Sequence, residues 1–125
     1  MIKKENISSK NVYPTINAQA VKANGFIFST QIGKNATTNQ MENGMKAQAK
    51  RIMENIKTIL EENESSLKNM VKVTVFISNL EKAIEFNDIY YSYFKEEKSR
   101  PVRCCVQVGE LGPGVEVEIE FIALA

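Results

Sequence analysis

The chain has 125 residues, 43% hydrophobic and 25% charged, which fits one folded domain of ordinary globular composition rather than a disordered segment. Its 16 basic and 15 acidic residues leave a net charge of +1, so no global field draws nucleic acid or an anionic membrane. Histidine is absent, which removes histidine acid/base catalysis, Ser-His triads and most zinc sites.

The opening Met1-Ile2-Lys3-Lys4-Glu5-Asn6 has no apolar run behind its lysines and does not read as a secretory signal. No later stretch approaches the roughly 18 uninterrupted apolar residues of a membrane helix, so a cytoplasmic protein without a membrane partner is expected. Ile2 and Ile7 are candidate anchors of a short leading strand. Ala18–Ala23 and Phe26–Gln31 flank Asn24-Gly25, the pair favoured in a two-residue type I′ turn, and predict a hairpin. Gly33 to Asn39 reads as a loop.

Met41, Met45, Ala49, Ile52, Met53, Ile56, Ile59 and Leu60 recur at helical spacing and predict a helix that packs on a sheet, ending near Asn63. Met70–Ser78 alternates as a strand, with Val71, Val73, Val75 and Ile77 on one face and Phe76 on the other. Asn79 is placed to cap a second helix over Leu80 to Lys95. Two closing strands, Val102–Val108 and Val115–Leu124, follow a charged connector and are joined by Gly109-Glu110-Leu111-Gly112-Pro113-Gly114. The order is β-β-α-β-α-β-β, an α+β single domain spanning residues 1–125 with both helices on one sheet face. The other face also carries apolar residues, and self-association is the simplest way to cover it, the alternative being a monomer with a partly solvated sheet.

Alternation in the first closing strand sorts Val102, Cys104, Val106 and Val108 to the core side and Arg103, Cys105 and Gln107 to the other. In the last strand Val117, Ile119 and Phe121 oppose Glu116, Glu118 and Glu120. Arg103 can approach Glu118 if the two strands are neighbours or meet across a subunit boundary. An arginine there can hold a carboxylate through two parallel charge-assisted hydrogen bonds, and a nearby glutamate can orient water. By spacing alone an exposed cross-strand ion pair is the commoner use of such residues. Cys104 suits a small buried hydrophobe, and the adjacent Cys104 and Cys105 do not suggest a disulfide framework.

The run Arg103-Cys104-Cys105-Val106-Gln107-Val108, with Leu111 and then Gly114-Val115-Glu116-Val117-Glu118-Ile119-Glu120, resembles the closing signature of the reactive-imine deaminase family (Rid, or YjgF/L-PSP). Val71-Lys72-Val73-Thr74-Val75-Phe76-Ile77, Phe86-Asn87 with Tyr90, and Gln31-Ile32 are similar to its central strand, second helix and hairpin. The resemblance implies a chorismate-mutase-like fold and a homotrimer with clefts between subunits. It implies hydrolysis of enamine or imine intermediates, such as 2-aminoacrylate, to 2-oxo acids and ammonia without metal or organic cofactor. Carried over by position, Arg103 is the substrate-carboxylate clamp and Glu118 positions water. Asn87, Cys105, Gln31 and Asn17 line the pocket, with Leu111 and Gly112 near its mouth.

Four departures alter the expected cleft. Asn17 stands where many members have tyrosine, Ser29-Thr30-Gln31 replaces Ser-Gly-Gln, Ala83 replaces an aromatic residue, and Leu111-Gly112-Pro113-Gly114 replaces Leu-Pro-x-Gly. A non-catalytic trimer that binds small carboxylates is the alternative reading. A ribonuclease or translation inhibitor fits less well, because phosphodiester chemistry favours acid/base groups and a cationic surface.

Overall fold

A computed structural model describes residues 2–125. The first strand, β1, is Lys4–Ile7; Ile7 is buried, whereas Ile2 lies outside the strand and is fully exposed. Asn24 and Gly25 have φ of 52° and 81°, the positive pair a type I′ turn requires. They join β2, Ala20–Ala23, to β3, Phe26–Ile32.

Helix α1 spans Met45–Glu62 and does not begin at Met41. Gly44 has φ of 92°, outside the helical region, while Met41 bridges Lys34 instead. The apolar stripe of α1 is buried as its spacing predicts, with Ile52, Met53, Ile56, Ile59 and Leu60 at 0% exposure. Each such side chain contributes on the order of 1.5–3 kcal/mol through burial. Gly33 makes close helix approach possible: a Cβ there would stand 2.7 Å from Gln48 Cα.

Strand β4 is Met70–Ile77, with a register shift between Met70 and Lys72. The irregularity buries Met70 and leaves Val71 41% exposed, so Val71 departs from the face that Val73, Val75 and Ile77 share. Asn79 Oδ1 accepts a hydrogen bond from Glu81 N, but the cap opens a short 3-10 turn, Leu80–Lys82. Helix α2 then runs over Ala83–Ser92 and stops before the expected Lys95. The last strands are β5, Val102–Gln107, and β6, Val117–Leu124.

The strand order is β1-β2-β3-β6-β4-β5, antiparallel throughout except for the parallel β4–β5 pair. The two closing strands are therefore not neighbours, because β4 lies between them. Both helices cover the face carrying Ile27, Val73, Val75, Ile119 and Phe121. On the opposite face Phe28 is 40% exposed and Val106 41%. No helix among the described residues is long and apolar enough to cross a membrane.

Candidate functional site

Arg103 and Cys105 lie opposite Val73 and Val75 in the β4–β5 ladder, on the helix-covered face. The expected assignment of faces in this strand is reversed. Val102 is 68% exposed and Cys104 is exposed, both on the helix-free side, while Cys105 is part-buried against the core. The reason is local: β5 is an edge strand whose inner side meets the rim of α2, where aromatic rings receive a cation. The Arg103 guanidinium carbon stands 4.7 Å from the centroid of the Tyr90 ring, 5.4 Å from Tyr91 and 5.6 Å from Phe86. Such contacts contribute about 0.5–2 kcal/mol, more as water is excluded.

One hydrogen bond fixes the fork. Arg103 Nη2 donates to Asn87 Oδ1 at 2.7 Å, so the predicted pair Arg103 and Asn87 is brought together. Arg103 Nη1 is buried without a hydrogen-bond partner, as is the hydroxyl of Tyr90. The ion pairs formed among the described residues are Lys3–Glu5, Arg51–Glu42, Lys82–Glu116 and Arg100–Glu97, so Arg103 has no carboxylate. Burial of the Tyr90 phenol pushes its pKa to about 12, and the Arg103 charge only partly offsets that rise. A groove of about 210 Å³ opens beside this strand between Lys72, Val73, Val102, Arg103 and Cys104.

Glu118 is elsewhere. It pairs with Phe76 and Ile32 across β6, on the helix-free face, and accepts a hydrogen bond from Thr30 Oγ1 at 2.8 Å. Within one chain Arg103 and Glu118 therefore occupy opposite faces of the sheet, separated by β4. Tyr13 belongs to the Glu118 group: its hydroxyl accepts from Ile32 N at 3.1 Å. Burial raises the Tyr13 pKa, and the Glu118 charge adds to the rise. Asn17 and Gln31 line a small cavity of about 80 Å³ with Tyr13 and Thr30. Asn17 is exposed, whereas Gln31 is buried, anchored to Ser29 Oγ at 3.1 Å and left with an unpaired Oε1.

Leu111 and Gly112 lie in the loop before β6. That loop is pinned to α1 by Gln48, which donates to Gly114 O at 2.8 Å and accepts from Glu116 N at 2.9 Å. Lys82 Nζ reaches Glu116 Oε1 at 2.6 Å and ties the start of α2 to the same loop. Ala83 is part-buried against the core, and Phe86, one turn on, is the aromatic residue fully enclosed beside Arg103. Among the described residues no group of three metal-ligating side chains is gathered.

The predicted site thus separates into three parts: an Arg103–Asn87–Cys105 edge, Glu118 with Thr30 on the helix-free face, and the small cavity shared by Asn17 and the buried Gln31. Sequence reasoning missed Tyr90, Tyr91 and Thr30 as parts of these groups. The helical spacing of Tyr90 and Tyr91 from Asn87 was the available signal for two of them.

The endoribonuclease L-PSP family model matches residues 10–125. A RutC family protein of Aquifex aeolicus is 44% identical over 108 residues, covering 86% of each chain. The structure of YyfA of Yersinia pestis, a Rid family protein, superposes with a TM-score of 0.93 at 35% identity, covering 98% of this chain and 100% of that one. E. coli TdcF, crystallised with bound serine, superposes with a TM-score of 0.89 at 31% identity, covering 97% and 98%. With its sheet order, its closing signature and these likenesses over nearly its whole length, the chain belongs to the YjgF/RidA/L-PSP family.

Proposed function

We propose that the protein hydrolyses 2-imino acids to 2-oxo acids and ammonia, with Arg103 holding the substrate carboxylate. The observation that carries this reading is the guanidinium itself. It is fixed by Asn87, seated on aromatic rings and free of any acidic partner among the described residues. A cation held this way is costly to leave unpaired and favours a small anion. The serine bound by TdcF, which carries a carboxylate, supports the same class of ligand.

An imine carbon is already electrophilic, so anchoring and one oriented water can suffice. Water adds to the C=N carbon, the nitrogen gains a proton, and the resulting carbinolamine expels ammonia to leave the 2-oxo acid. Glu118 is the group proposed to orient that water. Because it lies across the sheet from Arg103 in one chain, the site requires a homotrimer in which the Arg103 edge of one copy meets the Glu118 surface of the next. The exposed Phe28 and Val106 on the helix-free face support such an assembly.

The test is ammonia release from dehydratase-generated 2-aminoacrylate, comparing the native protein with Arg103→Ala. A large loss in the variant is expected; equal rates would remove Arg103 from the mechanism. A second reading, a trimer that binds carboxylates without turnover, is favoured by the commitment of Glu118 to Thr30. Calorimetric binding of 2-oxobutanoate with no imine consumed would select it.

A further inference from the structure

Arg103 is not the only guanidinium on its aromatic seat. Arg100, three residues earlier, stands 4.9 Å from the centroid of the same Tyr91 ring that Arg103 meets at 5.4 Å. The two guanidinium carbons cannot be farther apart than these contacts together allow. That upper limit lies within what a four- or five-carbon dicarboxylate can bridge when each end meets one arginine fork.

Arg100 is held in place by more than the ring. Its Nε donates to Phe94 O at 2.9 Å, which orients the fork at the end of the α2 connector. The nearest acid, Glu97, is 3.8 Å from Nη1 and has an 87% exposed side chain, so it neutralises Arg100 weakly. Two cations therefore contact one tyrosine ring, and only Arg103 is needed for the carboxylate common to all 2-imino acids.

We infer that Arg100 is a specificity-determining residue that receives a second, distal carboxylate, and that the preferred substrates are 2-imino dicarboxylates derived from acidic amino acids. This rests on the proposed role of Arg103. Hydrolysis keeps the same balance as above: water enters at the C=N carbon, ammonia leaves, and the distal carboxylate is unchanged. Arg100 acts on binding and orientation, through a charge-assisted contact that salt partly screens.

The experiment compares calorimetric affinities for 2-oxoglutarate and 2-oxobutanoate, the stable product-side probes, in the native protein and in Arg100→Gln, Arg100→Lys and Lys98→Gln. In the native protein the dicarboxylate binds more tightly, by on the order of three- to tenfold for a partly exposed charge-assisted pair. That ratio collapses in Arg100→Gln, survives in part in Arg100→Lys, and is unaltered in Lys98→Gln, which removes a neighbouring charge that makes no ring contact. Turnover of the imines released from glutamate and alanine by an amino-acid oxidase follows the same order. A native ratio near unity, or one insensitive to Arg100→Gln, overturns the inference while Arg103-dependent binding of 2-oxobutanoate still stands. Loss of all carboxylate binding, with Arg103→Ala indistinguishable from native, overturns the parent reading as well.

Discussion

At the residue scale the protein is organised around a cation without an anion. Asn87 supplies the single directed contact that fixes the Arg103 fork, so Asn87→Ala should weaken binding of 2-oxobutanoate by about tenfold, the effect of losing a hydrogen bond to a charged group. Calorimetry checks this, and an unchanged affinity would show that the aromatic rings alone position the guanidinium. Tyrosine ionisation gives a second expectation. Burial raises the pKa of Tyr90 and Tyr13, and burial together with the hydrogen bond to Glu54 raises that of Tyr93. Each folded-state value lies above its unfolded value near 10, so above pH 10 the unfolded chain loses protons first. Stability contributed by these phenols is full below pH 10 and is lost as pH rises toward the folded value of about 12 for Tyr90. Thermal midpoints followed with the tyrosinate absorbance should fall together over that window.

At the element scale Gln48 is the link between helix and loop. Its side chain, 1% exposed, bonds Glu42 O at 3.0 Å as well as Gly114 O and Glu116 N. Gln48→Ala strands three backbone groups, and a loss of about 2–3 kcal/mol is expected, since unpaired buried groups cost roughly 1–3 kcal/mol each and water recovers some of them. Urea unfolding measures it. A shift below half that size would mean that the loop before β6 is held chiefly by Lys82 and Glu116. Gly33→Ala tests the same packing from the other side, because its new methyl would overlap Gln48.

At the scale of the whole molecule, the sheet has one face buried by helices and one left open. The open face mixes Phe28, Ile122, Val102 and Val106 with Thr30, Lys72, Glu118 and Glu120, too apolar for a face built only to meet water. We expect a trimeric mass by light scattering for the native protein. Phe28→Asp or Val106→Asp should lower it to that of one chain and abolish turnover, since the Arg103 and Glu118 groups share no cleft within a single copy. A monomeric mutant with native activity would show instead that one chain is sufficient.

Much of the fold was legible in the chain itself. Periodicity placed α1 and most strands, and the Asn24-Gly25 pair set the hairpin, because burial patterns and turn dihedrals are local properties. Strand alternation drew attention to Arg103, the family resemblance added Asn87, and the structure joins the two directly. What only the tertiary structure decided was which way β5 faces. Alternation sorts residues into two sets without saying which set is inside. An edge strand beside an aromatic helix rim can take arginine inward and leave valines out. The insertion of β6 between β3 and β4 was equally invisible, because strand order depends on long-range pairing. That order, with β4 between β5 and β6, separates Glu118 from Arg103 within one chain, which is why the proposed site calls on a second copy.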